Sequence, residues 1–314
     1  MSLKTAANWK TRFWAVVKYE LLWNIRKKKF LGMVVIAFVF ATLALFLPII
    51  LSNVSGQPFS QNPDYVVRSG IHIGNFGLFL FAVVTVMNSI SGEFESGTIV
   101  PLLTKPVSRT MVWLGKLLAA FITLFSAYGV LVVYMTVVGT LIHGPQNNLH
   151  LVPLSLLGSI LSTFVWVSIV LAIGSISKSS MMAALGAFGI FIALSISSPI
   201  VSMFSEQAWV LNYVPGSGAL GFLDVTPSGD QITLSLSVST GTDAISSNLV
   251  NYALHPSANV KYLKIGSSGQ LPISTLYSET LSFVLARAII VALAYVAVFL
   301  FISWWTFKRA QVLE

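Results

Sequence analysis

Long apolar runs dominate this chain, and short polar segments separate them. Six of the runs span about 20 residues or more with few or no charges, which is typical of helices that cross a membrane. They lie at residues 31–51, 71–91, 110–141, 153–176, 181–203 and 281–305. The pattern therefore predicts an all-α polytopic membrane protein with six transmembrane helices.

A shorter pattern precedes the first run. In residues 9–25 the apolar side chains recur at helical spacing, at Trp14, Val17, Leu21 and Ile25. A basic, aromatic-bearing helix at this position is expected to lie in the membrane interface. The alternative is a simple helical extension of the first span.

The polar region between the fifth and sixth runs predicts a small extracytoplasmic α/β cap. Apolar and polar residues alternate in QITLSLSVST (231–240), which predicts a half-buried strand. The next segment predicts a helix that Thr242 caps and Pro256 ends. One face of that helix carries Ile245, Leu249 and Tyr252. NVKYLKIGSSG (259–269) then predicts another strand and a turn.

These patterns divide the chain into four parts. Residues 1–30 form an N-terminal segment with the interfacial helix, and residues 31–203 hold spans one to five, with a polar loop at 92–109. Residues 204–280 form the cap. Residues 281–314 hold the sixth span and a tail.

Composition and charge agree with a membrane protein. Only 9% of the residues are charged, against about 25% in soluble domains. The net charge of +8 does not indicate nucleic-acid binding, because the densest basic cluster, 26–29, adjoins the first span. With the N-terminus inside, 14 of the 18 Lys and Arg residues fall inside, which predicts that both termini are cytoplasmic.

The sequence offers little catalytic or metal-binding chemistry. It contains no cysteine and no GxxxxGK[ST] motif, so nucleotide binding by a Walker A loop is excluded. The spacing of the histidines fits no metal-ligand motif; they are His72, His143, His150 and His255. We therefore predict a non-enzymatic chain that binds no metal or cofactor itself.

The loop SGEFESGTIVPLLTKPVSR (91–109) concentrates the polar residues that the spans lack. Gly92 and Gly97 permit sharp turns, and Thr98 is placed to cap a short helix. Pro106 disfavours helix at the residue before it, and Ser108 is placed to cap the third span. The pattern predicts a short helix across the membrane face, suited to a groove in a partner protein.

Two stretches carry a family resemblance. GEFESGTIVPLLTKPVSRTMVWLGK resembles the cytoplasmic loop of ABC type-2 transporter permeases, in which an acidic residue, a Gly-Thr step, a Leu-Leu pair and a Pro-x-Ser-Arg turn precede the third span. VVKYELLWNIRKKKF resembles the interfacial helix of the same family. With six spans and both termini inside, the resemblance covers nearly the whole chain.

The resemblance implies the permease subunit of an ATP-driven exporter in the cell membrane. Two permease chains, identical or different, would pair within membrane lipid, and each would dock a coupling helix at 93–106 into a separate ATPase subunit that binds ATP and Mg. The residues implied in coupling are Glu93, Glu95, Gly97, Thr98, Leu102, Leu103, Pro106 and Arg109. The alternatives are an ordinary loop, and a self-sufficient receptor or channel that acts through its cap.

Three polar residues inside the spans are candidates for a substrate pathway. Arg287 lies about two turns inside the sixth span, where it could pair with Glu279 or Glu206, contact an anionic substrate, or extend to the interface. Asn75 and Asn88 in the second span form either hydrogen bonds between helices or part of the pathway lining.

Overall fold

The structure, a computed structural model, describes residues 8–26, 28–56, 58–59, 61–71, 73–97, 107–204, 207–224, 236–264 and 274–310. Six of the described helical segments are long and apolar enough to cross a membrane, which confirms the predicted spans. In chain order, spans one to six are Lys28–Ser55, Gly74–Glu95, Arg109–His143, Leu149–Ser177, Ser180–Ser202 and Leu281–Arg309.

The described α-helices are α1 (Trp9–Arg26), α2 (Lys28–Ser55), α3 (Tyr65–Ser69), α4 (Gly74–Val86), α5 (Ser91–Glu95), α6 (Arg109–His143), α7 (Val152–Ser177), α8 (Ser180–Phe204), α9 (Ile245–Leu254) and α10 (Leu281–Arg309). Short 3-10 turns cover Leu149–Leu151 and Ala208–Tyr213. Span two therefore consists of α4, an irregular segment at 87–90 and α5.

Span four forms the centre of the helical bundle. In its most apolar stretch of 18 residues, 72% is buried inside the protein, whereas the corresponding share in span five is only 11%. Aromatic rings join spans two, four and five, since Phe79 lies 5.1 Å from Trp166 and 4.4 Å from Phe191, centroid to centroid. The outward faces of spans one and five stay apolar and exposed, as expected for helices that face lipid or another membrane protein.

One face of α1 packs within the bundle, a contact that the sequence did not predict. Trp14 and Ile25 are exposed, and the helix packs against α6 through Val17, Glu20 and Asn24. The predicted helix is confirmed, its place in the membrane interface stays a prediction, and a polar contact described below also holds it. The packing against α6 favours a separate helix over an extension of span one.

Close contact between a valine of α1 and the backbone of α6 explains this packing. A Cβ atom at Gly115 of α6 would lie 2.7 Å from Val16 Cγ1, which is too close for any residue but glycine. Because Gly115 has no side chain, α1 can pack closely against the side of span three. We call the end of the bundle that holds α1, α5 and the starts of α6 and α8 the loop end.

The opposite end, the cap end, carries a four-stranded antiparallel sheet and α9. The strands are β1 (Leu220–Asp224), β2 (Leu236–Ser239), β3 (Asn259–Lys264) and β4 (Ser274–Thr280), in the order β2-β1-β3-β4. The structure shows a strand at 236–239, a helix at 245–254 and a strand at 259–264, all within predicted segments. The first part of the predicted strand, 231–235, lies outside the described residues.

The predicted helix cap at Thr242 is wrong. Ala244 occupies the N-cap position of α9 and makes no side-chain capping bond. Thr242 Oγ1 instead accepts a hydrogen bond from the backbone N–H of Gly216 at 2.7 Å. The hydroxyl thus joins two segments of the cap that lie 26 residues apart, which the local sequence does not reveal.

Candidate functional site

The predicted coupling loop is described on both sides of a gap. Glu93, Glu95 and Gly97 lie before it, and Arg109 lies after it. The remaining candidates lie outside the described residues; they are Thr98, Leu102, Leu103 and Pro106. The geometry of the loop end therefore rests on α5 and its surroundings.

Of the turn and cap predictions in this loop, three fall on described residues, and two of these are confirmed. Gly97 has φ +66°, a left-handed conformation that favours glycine, and Ser108 Oγ accepts a hydrogen bond from Met111 N at 3.1 Å. The predicted turn at Gly92 is wrong, because this residue lies inside α5. A Cβ at Gly92 would lie 3.2 Å from the Asn88 Cβ, so the glycine serves close packing instead.

Glu93 belongs to a buried cluster of three charges. Lys116 Nζ donates to Glu20 Oε1 at 2.6 Å and to Glu93 Oε1 at 2.7 Å. The side chain of Lys116 is only 3% exposed, and those of Glu20 and Glu93 are 7% and 17% exposed. Because an unpaired charge in such a place is strongly unfavourable, the cluster ties α1, α5 and span three together.

Glu95 turns toward span five. Its Oε1 accepts from the backbone N–H of Ser180 at 2.7 Å, and its Oε2 accepts from the Ser180 hydroxyl at 2.6 Å. Ser180 is the first residue of α8, and an acid at this point offsets the positive end of the helix dipole. The role of Glu95 in the coupling helix at 93–106 stays a prediction, because residues 98–106 lie outside the described residues.

Phe94, the residue between these two acids, contacts span six. The Phe94 ring lies 6.3 Å from the Phe307 ring of span six, edge to face, and Lys178 Nζ lies 5.6 Å above it. Arg109 also reaches span six, where its Nη1 donates to the carbonyl oxygens of Ala310 at 2.5 Å and Lys308 at 3.3 Å. The end of span six is thus held from both sides of the loop.

Three consecutive residues of α5 therefore contact three different parts of the bundle. Glu93 reaches α1 and span three, Phe94 reaches span six, and Glu95 reaches span five. Both acids are engaged within the chain, so the arrangement is suited to transmitting movement between helices.

A family model for ABC-2 family transporter proteins matches residues 14–312, nearly the whole chain. The chain belongs to the ABC-2 transporter family. It is a multi-pass membrane protein, the permease component that partners ABC ATPase subunits. No individual curated protein matches it.

At the cap end of this ABC-2 permease, Arg287 is paired within the chain. Its Nη1 and Nη2 donate to the two carboxylate oxygens of Glu279 at 2.8 and 2.9 Å. Tyr262 Oη donates to the same carboxylate at 2.8 Å, and burial raises the pKa of this phenol. Of the predicted partners, Glu279 is thus the observed one, and Glu206 lies outside the described residues. Contact with an anionic substrate stays a prediction.

The other two pathway candidates lie at opposite ends of span two. Asn75, at the cap end, donates through Nδ2 to Asp243 Oδ2 at 2.9 Å, which is a contact with the cap. Asn88 lies in the irregular segment between α4 and α5 at the loop end. The structure does not bring Asn75, Asn88 and Arg287 together, so their shared role in a pathway stays a prediction.

Sequence reasoning missed Lys116, Glu20 and Ser180 as parts of the loop-end site. A signal for the first pair was present, because Lys116 lies two turns inside an apolar span and Glu20 is the single acid in residues 1–63. An isolated charge inside a span usually has a partner of opposite sign. No comparable signal marks Ser180, which is one of many serines in the chain.

Proposed function

We propose that this permease is the transmembrane subunit of an ATP-driven exporter. In this proposal, a separate ATPase subunit binds ATP and Mg, and its movement reaches the spans through α5 and the segment that follows. The observation that carries the proposal is the set of contacts from Glu93, Phe94 and Glu95 to α1 and to spans three, five and six. A rigid shift of α5 would displace all of these elements together.

The proposal places the loop end in the cytoplasm and the cap outside. The excess of Lys and Arg on the loop-end segments supports this orientation. Export is the direction that the resemblance to ABC type-2 permeases implies. A self-sufficient receptor or channel is less well supported, because family membership implies ABC ATPase partners.

We further propose that two permease chains pair in the membrane. Span five supports this arrangement, since it leaves most of its apolar surface uncovered within one chain. Met181, Leu185 and Ile196 are among its exposed side chains. A second permease chain or lipid would cover this surface.

The orientation is tested by labelling single cysteines, which the cysteine-free sequence makes unambiguous. Asn147→Cys lies at an exposed position on the cap end, and Lys178→Cys lies at an exposed position on the loop end. We expect a membrane-impermeant maleimide to label Asn147→Cys on intact cells and Lys178→Cys only after permeabilisation. Labelling of Lys178→Cys on intact cells would invert the topology and remove α5 from the reach of a cytoplasmic ATPase.

A further inference from the structure

The cap is fixed to span four by contacts between backbones. A Cβ at Gly158 would lie 2.5 Å from the Cα of Ser246, so the two segments touch with no side chain between them. Ser246 Oγ also donates to the Ser155 carbonyl at 2.8 Å, and Ser162 Oγ donates to the Thr242 carbonyl at 2.8 Å. Contacts of this kind leave little freedom for sliding.

Spans five and six are attached to the cap at several points as well. Ser198 Oγ of span five donates to the Gly218 carbonyl at 3.0 Å. Span six continues directly from β4, and the Arg287–Glu279 pair braces that junction. The cap thus belongs to one body with spans four, five and six.

Span two meets the cap differently. Among the described residues, one hydrogen bond joins this span to the cap, and it runs from Asn75 Nδ2 to Asp243 Oδ2. The Asn75 side chain is exposed, and no backbone contact as close as that at Gly158 accompanies the bond. With one side-chain hydrogen bond and no close backbone contact, this attachment is the weakest of the four.

The segment before span two also contains glycines suited to a hinge. Gly70 has φ +57° and Gly74 has φ +63°, both in the left-handed region. Gly70 lies against Ser155 of span four, whereas a Cβ at Gly74 would meet nothing within 4 Å. The chain is therefore held at Gly70 and free of steric contact at Gly74, immediately before Asn75.

We propose that Asn75 and Asp243 form a latch between span two and the cap, which opens and closes as the permease passes through its transport cycle. Here span two would tilt about its aromatic contacts with spans four and five at Phe79 and swing at Gly74, while the cap stays on spans four to six. The proposal rests on the proposed function, since span two ends in α5 and would carry the movement of the loop end to this pair.

The surroundings of Asp243 suit a contact with two stable states. In the closed state its Oδ1 accepts from Ser239 Oγ at 2.7 Å while its Oδ2 accepts from Asn75. Burial raises the pKa of this carboxyl, and the two hydrogen bonds oppose the shift. Opening leaves Oδ2 of the partly buried carboxylate to water, which replaces the bond from Asn75.

Distances between spin labels test the latch without knowledge of the substrate. Phe76→Cys with Tyr252→Cys reports on span two against the cap, and Leu157→Cys with Tyr252→Cys reports on span four against the cap. All three positions are exposed, and neither pair removes Asn75 or Asp243. The complex with the cognate ATPase is measured without nucleotide and after trapping with Mg-ATP and vanadate.

We expect the 76–252 distance to lengthen on trapping and the 157–252 distance to stay unchanged. Loss of ATP turnover shows that the complex has been trapped. If the 76–252 distance is nevertheless unchanged in that complex, the latch is overturned while the proposed function stands. Equal changes in both pairs would also overturn it, because the cap would then move on span four. Failure of the ATPase to associate would count against the proposed function instead.

A second measurement needs no ATPase. Asn75→Ala removes the bond, so in the isolated permease the 76–252 distance should broaden or shift toward longer values. The matched control is Ser239→Ala, which removes the other side-chain bond to Asp243 and leaves span two attached. An unchanged distribution in Asn75→Ala would show that the bond does not hold span two, and the latch would be excluded.

Discussion

Replacing Lys116 by methionine is expected to lower the free energy of unfolding by about 3–5 kcal/mol, because it removes one member of a buried ionic cluster. Glu20 and Glu93 would then face each other without a counterion in a nearly water-free site. One carboxyl would have to take up a proton or the helices would separate. The measurement is thermal unfolding of the purified permease in detergent.

The matched control removes all three charges at once. The triple variant Lys116→Met, Glu20→Gln and Glu93→Gln leaves no unpaired charge, so most of the lost stability should return. ATP turnover of the assembled transporter should nevertheless remain low, since the connection between α1, α5 and span three is absent. If Lys116→Met alone unfolds at the wild-type temperature, the three charges do not hold these elements together.

Replacing Gly97 by valine is expected to reduce ATP turnover sharply while the spans still insert. The left-handed conformation is about 1–2 kcal/mol less favourable for a residue with a Cβ than the right-handed one, and it is less favourable still for a β-branched residue. A Cβ at this position would meet nothing within 4 Å, so the effect comes from the backbone and not from a clash. The backbone should leave φ +66° and redirect the segment that follows α5.

Gly56 provides the control for this substitution. It has φ +67° and equally open surroundings, but it follows span one at the cap end. Gly56→Val should therefore cost similar stability and leave ATP turnover near the wild-type value. Both variants are reconstituted with the cognate ATPase, and ATP hydrolysis and subunit retention are measured. Equal turnover in Gly97→Val and Gly56→Val would mean that the loop acts only as a connector.

The six spans could be predicted because each depends on a local property, namely a run of apolar residues long enough for the bilayer. The caps and turns at Ser108 and Gly97 were predictable for the same reason, since one residue type suits the local backbone. In the cap, the strand at 236–239 could be predicted because apolar and polar residues alternate there.

Contacts between distant parts of the chain were not predictable. The spacing in α1 predicted a helix at the membrane interface but not its contact with span three, because the partner of Glu20 lies 96 residues away at Lys116. Glu95 was placed on its own short helix, whereas its partner Ser180 begins a span 85 residues later. Strands β1 and β4 went unrecognised, because apolar and polar residues do not alternate regularly in LGFLD and STLYSET and both strands pair with β3.

The central claim is that α5 faces an ATPase subunit, and site-specific photo-crosslinking tests it most directly. A photoreactive amino acid is placed at Ser96, which is exposed next to α5, and in a matched variant at Ser55, which is exposed at the cap end. Membranes that contain the permease and its cognate ATPase are irradiated, and the crosslinked products are identified by their molecular mass. We predict a crosslink to the ATPase from position 96 and none from position 55. A crosslink from position 55 with none from position 96 would contradict the account.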